Sequence, residues 1–265
     1  MLPLFDTHCH LDFEVFDQDR DVVVARALHA GVQAIMIPGT SRRQQSAVQA
    51  VQAHFPKTVI SGVGLHPYFI DSHSLDDCDW LAQQLAEKPQ LVVGEIGLDA
   101  TIDDPDKQRT LFTKQLDLAA QFARPVILHH RKTLDEMVPL LKRVRDNLPD
   151  TAGIIHAFSG SLQQAQSYVE LGFKLGIGGT ITYSRAQKTR AVVSELPLAA
   201  LVLETDAPDM PLAGYQGQRN EPARCGKVLE VLLELRDEPE SELRSALWRN
   251  TADCFKPFYP AIFAS

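Results

Sequence analysis

Short apolar runs of strand length recur eight times along this 265-residue chain, and each gives way to an amphipathic helical stretch. The runs fall near residues 4–8, 34–37, 59–63, 91–95, 125–129, 153–156, 173–176 and 200–204. Such alternation predicts a parallel sheet, because parallel neighbours need a long crossover connection between them. Eight units in a chain near the typical size, about 250 residues, predict an α/β fold of the TIM (β/α)8 barrel type. No low-complexity segment or charge block interrupts the pattern, so the chain reads as one domain over 1–265. The Pro- and Gly-rich stretch 207–222 reads as the loop after the eighth strand.

Helix starts carry their own signals. Asp104-Pro105 supplies an N-cap followed by proline at the first helical position, where a missing N–H costs nothing. Thr133 with Glu136, and Ser161 with Gln164, have capping-box spacing. Between Pro105 and Arg124, Leu111, Leu118 and Phe122 share a stripe, with Phe112, Leu116 and Ala119 beside it.

Polar side chains of one kind gather where these apolar runs end. His8 and His10 have the same strand parity and face one side, with Asp6 on the same parity and able to orient one of them. Glu95 closes the fourth run; a carboxylate there is costly to bury unless paired or metal-bound, and its two oxygens can bridge two cations. His129 and His156 end the fifth and sixth runs, and Glu204 and Asp206 follow the eighth. Asp206 lies nearer the mouth and can ligate a metal or accept a proton, while Glu204 lies deeper as a supporting partner. Each motif alone is weak; their ordered set predicts a metal centre at one face of a barrel.

Other residues receive narrower expectations. His66 opens onto the same face and would contact a substrate oxygen, and Arg131 would offer a bidentate fork to a phosphate, with a structural ion pair as its alternative. His130 should point away from the barrel axis. His29, His54 and His73 read as surface residues. Tyr68, Phe69 and Tyr183 are the aromatic candidates near the mouth. The run Gly176-Ile177-Gly178-Gly179-Thr180 lacks dinucleotide-binding spacing, so close backbone approach explains it better.

The formal net charge of −8 argues against a broadly basic nucleic-acid surface, yet leaves room for a phosphodiester gripped locally by metal ions. Cys9, Cys78, Cys225 and Cys254 show no CxxC spacing and suggest free thiols in a reducing, cytoplasmic compartment. No secretory signal and no apolar run of about 18 residues is visible, so neither export nor a membrane span is expected. No obligate protein partner is evident.

With these residues assembled, the sequence resembles the TatD family of metal-dependent hydrolases, within the amidohydrolase-like barrels, and is most similar to its YjjV-like branch. The resemblance rests on Asp6-Thr7-His8-Cys9-His10-Leu11-Asp12, Gly64-Leu65-His66-Pro67 and Gly94-Glu95-Ile96-Gly97-Leu98-Asp99, then Ile127-Leu128-His129, His156-Ala157-Phe158-Ser159-Gly160 and Leu203-Glu204-Thr205-Asp206-Ala207-Pro208. It implies one or two divalent ions (zinc, magnesium or manganese), one held by His8, His10 and Asp206, the other by His129 and His156, with Glu95 shared. It also implies a deoxyribonuclease of 3′→5′ exonuclease type acting on nucleic-acid ends. A bound ion would lower the pKa of its water toward roughly 7, with Asp206 and Glu95 as catalytic carboxylates. Hydrolysis of an ester or amide, such as D-aminoacyl-tRNA deacylation, is the alternative, since the same Lewis acid serves carbonyl attack. His130 departs from the family, where a small residue is usual, and that bears on local substrate contacts.

Overall fold

The computed structural model describes residues 2–264. Eight strands form one all-parallel sheet in sequence order: β1 (Leu4–Asp6), β2 (Val32–Ile37), β3 (Val59–Val63), β4 (Val92–Asp99), β5 (Val126–Arg131), β6 (Gly153–Ile155), β7 (Phe173–Ile177) and β8 (Leu201–Leu203). Helices α1 (Arg20–His29), α2 (Gln45–His54), α3 (Asp76–Glu87), α4 (Pro105–Gln121), α5 (Leu134–Val144), α6 (Leu162–Glu170), α7 (Gln187–Glu195) and α8 (Cys225–Leu235) follow the successive strands. The chain is a TIM barrel.

The first and last strands meet through the segments just beyond them. Thr7 N–H donates to the Leu203 carbonyl at 2.9 Å, Asp206 N–H to that of His8 at 2.9 Å, and His10 N–H to that of Ala207 at 2.7 Å. Apolar side chains turned outward from the strands pack against the helices as the main core. Those turned inward near the other end, among them Phe5, Met36, Ile60, Val92, Ile127 and Ile154, form a second core. A ninth helix, α9 (Glu240–Phe255), and the segment after it close that end with Phe255, Tyr259, Ile262 and Phe263. The Tyr259 hydroxyl donates to the Ser61 carbonyl at 2.8 Å and accepts the Ser61 N–H at 3.1 Å, which anchors the plug to β3.

Two of the three expected caps form. Asp104 accepts the Lys107 N–H ahead of Pro105, and Ser161 with Gln164 makes the full capping box. Thr133 does not cap α5: its hydroxyl is buried and donates to the Leu98 carbonyl at 2.8 Å, so it ties the β5 loop to β4 instead. The buried face of α4 is also shifted from the apolar stripe expected. Gln108, Leu111, Phe112, Gln115, Leu116 and Ala119 are buried, while Leu118 and Phe122 are only partly so. The two glutamines are drawn inward because strand-end backbone groups need partners there.

Candidate metal centre

The chemistry-bearing side chains converge at the end of the barrel opposite the α9 plug. β1 ends at Asp6, so His8 and His10 stand on the segment that follows, where alternate residues still face the same way. Cys9 between them turns outward, bridges to Ala207 and is fully buried. The His8 and His10 Nε2 atoms lie 3.3 Å apart.

Glu95 is the fourth of eight residues in β4 and not the end of the strand, as the sequence suggested. β4 continues because Ile96 and Leu98 belong to the core and its last three residues pair with His129, His130 and Arg131. For the same reason β5 runs past His129 to Arg131. Glu95 Oε2 lies 3.1 Å from His8 Nε2 and 3.5 Å from His10 Nε2, and Asp206 Oδ1 lies 3.7 and 3.9 Å from the same two nitrogens. A tetrahedral ion with ligands at about 2.1 Å spaces them by about 3.4 Å. His8, His10 and Glu95 therefore have separations close to those of one divalent cation's shell, with Asp206 a little farther off.

The other oxygen of the same carboxylate serves the opposite side. Glu95 Oε1 is 3.2 Å from His129 Nδ1 and 3.1 Å from His66 Nε2. His129 Nε2 faces Asp99 Oδ2 at 3.1 Å, while Asp99 Oδ1 accepts the Thr101 N–H and hydroxyl at 2.8 and 2.6 Å. Asp99 thus draws the imidazole proton to Nε2 and turns the Nδ1 lone pair toward Glu95. Sequence reasoning gave Asp99 no role. Its even spacing from Glu95 was the available signal, hidden because the strand was ended at Glu95.

His156 lies between two acids. Its Nδ1 is 3.0 Å from Glu204 Oε1 and its Nε2 is 3.4 Å from Asp206 Oδ2, while its ring stacks on His8 at 3.6 Å. Among the described residues, three groups have donors close enough to share an ion: His8–His10–Glu95, His8–His156–Glu204 and His66–Glu95–His129. His129 and His156 fall in different groups, because Glu204 and Asp206 hold the His156 ring on the β8 side. Glu204 is the buried partner expected, and it also accepts the Ala157 N–H at 2.6 Å. A Cβ on Gly176 would meet Glu204 Oε2 at 2.0 Å, so the close approach at this glycine is by a carboxylate and not by backbone as expected.

Other expectations are corrected. Asp6 orients no imidazole; Oδ1 accepts the backbone N–H groups of His8 (3.3 Å) and Thr205 (2.9 Å), and Oδ2 accepts the Thr205 hydroxyl at 2.5 Å. Burial raises its pKa to about 8 against those hydrogen bonds. His66 Nδ1 accepts the Tyr68 N–H at 3.0 Å, so Nε2 carries the proton and donates to Glu95. Burial pushes its pKa down to about 4. The geometry sets this neutral ring to hold Glu95, where a substrate contact was expected. His73 is buried rather than at the surface, with Nε2 2.9 Å from the His66 carbonyl. His130 lies beside Phe158, its rings 6.2 Å apart, and takes no part in the cluster. Arg131 is exposed at the end of β5 and pairs with no acid among the described residues.

Electrostatics explain what this pocket asks for. Burial opposes a charge on His129 and on His156, but Asp99 with Glu95, and Glu204 with Asp206, outweigh it and raise both pKa values. Burial likewise opposes the Glu95 anion, yet the surrounding imidazoles hold it well below the usual carboxylate range. The site is a buried, carboxylate-rich pocket that pulls protons onto His10, His129 and His156, while burial keeps His8 and His66 neutral. Cations of higher charge fit the same demand.

The sequence profile of the TatD related DNase family matches residues 5–256. The chain belongs to that family. Its TatD relatives include the metal-dependent hydrolase YjjV of Escherichia coli, 48% identical over 94% of this chain and 96% of that protein. The crystal structure of E. coli YjjV superposes with a TM-score of 0.90 at 47% identity, covering 96% of this chain and 98% of that one. The 3′-5′ ssDNA/RNA exonuclease TatD of Erwinia billingiae is 32% identical over 90% of this chain and 94% of its own length. This TatD chain is a metal-dependent hydrolase. None of its helices, among the described residues, is long and apolar enough to cross a membrane.

Proposed function

We propose that the chain, acting as one hydrolase unit, cleaves phosphodiesters at nucleic-acid ends as a 3′→5′ exonuclease. The observation that carries this reading is Glu95, whose two oxygens face separate imidazole groups within one pocket. His8, His10, Glu95 and Asp206 would hold one ion. Glu95 and His129 would supply donors to a second, with His156 facing the pocket from the β8 side, and each of these two histidines has its outer nitrogen turned to an acid. When bound, such ions act as Lewis acids and lower the pKa of coordinated water. Imidazole-rich donors suit zinc, and the carboxylates also suit manganese or magnesium.

The chain's own residues do the rest. Asp206 stands at the mouth with Oδ1 toward His8 and His10 and Oδ2 toward His156, placed to take a proton from attacking water. Neutral His66 fixes Glu95, and Arg131 offers an unpaired fork to the phosphate leading into the site. Buried thiols at all four cysteines accord with a reducing compartment and a cytoplasmic location.

The test is hydrolysis of bis-p-nitrophenyl phosphate, simple esters and end-labelled single strands by purified protein with each divalent ion and with chelator. Metal-dependent release of mononucleotides, reduced about 100-fold or more by Asp206→Asn, is expected. Esterase activity without phosphodiesterase activity would overturn the proposal.

A further inference from the structure

We infer that the cleft between the β1 and β8 loops is a nucleobase subsite beside the scissile phosphate, with Phe13 as its stacking platform. The inference rests on the nuclease reading and adds to it where the base sits and which bases fit. The cleft has a volume of about 590 Å³ and is lined by Phe13, Glu14, Val15, Gln44, Pro208 and Asp209. It begins where the candidate metal centre ends, because Phe13 follows His10 by three residues and Pro208 follows Asp206 by two. The Phe13 ring lies parallel to the His10 imidazole, with centroids 4.6 Å apart and planes 14° apart. A base against the phenyl ring's other face would extend that stack away from the cluster. Base–aromatic stacking of this kind is a general device for holding single strands.

The cleft is built rather than incidental. Arg219 forms one wall, donates to both Asp19 oxygens at 2.9 and 2.6 Å and to the Val15 carbonyl at 2.6 Å, and lies over the Phe16 ring at 4.5 Å. Its charge is therefore spent on fixing the loop that presents Phe13 and Val15. Val15 is 51% exposed, an apolar side chain left at the cleft's edge.

Apart from Arg219, which is held by Asp19 and the Val15 carbonyl, the polar groups in the cleft share one polarity. Gln44 donates its amide N–H to Asp12 at 2.9 Å, which leaves its carbonyl oxygen as the free end. Glu14 and Asp209 add carboxylates. A wall of acceptors repels phosphate and suits the exocyclic amino groups of adenine, cytosine and guanine over thymine, which has none. Arg131 and Lys132, which pair with no acid among the described residues, stand exposed at the end of β5, half-way round the barrel from β1. A single strand would cross the mouth with its backbone on the β5 side, its scissile phosphate over the cluster and its terminal base in the Phe13 cleft.

The experiment uses full-length metal-loaded protein and single strands differing only in the 3′ residue: adenine, cytosine, thymine or an abasic tetrahydrofuran. KM is expected to rise about tenfold or more from adenine to the abasic end, with thymine between them. Phe13→Leu should erase that span and Phe13→Trp should restore it. Independently of turnover, 2-aminopurine at the 3′ end should be quenched on binding to Asp206→Asn protein, and the quench should vanish when Phe13→Leu is added. Equal KM for all four ends, or a Phe13→Leu variant that lowers activity on every end in parallel, would overturn the subsite. Should Phe13→Leu fail to fold, Val15→Asp carries the test through the same substrate ratios and quenching. Loss of the whole phosphodiesterase reading would show differently, as absent hydrolysis of bis-p-nitrophenyl phosphate with every metal.

Discussion

At the scale of single residues, the centre depends on which imidazole nitrogen each acid claims. Asp99 takes the Nε2 side of His129 and Glu204 the Nδ1 side of His156, so each ring shows the pocket its remaining nitrogen. Asp99→Asn should keep the fold but weaken metal binding about 10- to 100-fold, as loss of a carboxylate behind a ligating histidine generally does. Competition against a chromogenic chelator measures it, and unchanged affinity would refute the role. Glu95, His129, His156 and Asp206 were visible in the sequence because polar groups that close short apolar runs are conspicuous among apolar neighbours. Asp99 and the true task of His66 were not, since a tautomer depends on contacts between residues far apart in the chain.

At the scale of elements, α4 supports two active-site loops with one face. Gln115 accepts the Leu65 N–H at 2.7 Å and donates to the Leu65 carbonyl at 3.2 Å, next to His66. One turn pair earlier, Gln108 accepts the Asp99 N–H at 2.9 Å and donates to the carbonyls of Asp99, Ile102 and Asp103. Gln115→Ala leaves both backbone groups of Leu65 buried without partners, so about 1–3 kcal/mol of stability should be lost in urea unfolding. Hydrophobic spacing found this helix but mislaid its face, because glutamine reads as solvent-facing. His73, at the end of the β3 loop, adds a pH dependence. Burial holds its pKa below the usual value near 6.5 although the His66 carbonyl opposes the shift. The folded state keeps the ring neutral, so its contribution is full above about pH 6.5 and declines below it, where only the unfolded chain takes up the proton. His73→Gln should flatten the acid limb of a stability profile between pH 6.5 and 5, and an unchanged slope would contradict this.

At the scale of the whole molecule, the eightfold alternation made the barrel legible, since few other arrangements satisfy eight consecutive parallel strands. The α9 plug was not legible, because its stripe of Leu243, Leu247, Cys254 and Phe255 marks a buried helix without saying what it covers. Metal should act on the entire fold. A divalent ion at a hundredfold excess over its Kd adds about 2.7 kcal/mol, or about 5–10 °C in Tm for a chain of this size. Scanning calorimetry with and without chelator checks this, and the shift should largely disappear in His8→Ala protein.

The seam joining Thr7, His8 and His10 to Leu203, Asp206 and Ala207 has a consequence for biosynthesis. The two halves of the pocket are made nearly two hundred residues apart, and they also fasten the cylinder shut. A ribosome-bound chain lacking its final quarter therefore holds His8, His10 and His156 without Glu204 or Asp206 opposite them. Activity in such a molecule certifies a finished fold, and no proteolytic fragment that stops short of β8 can inherit it.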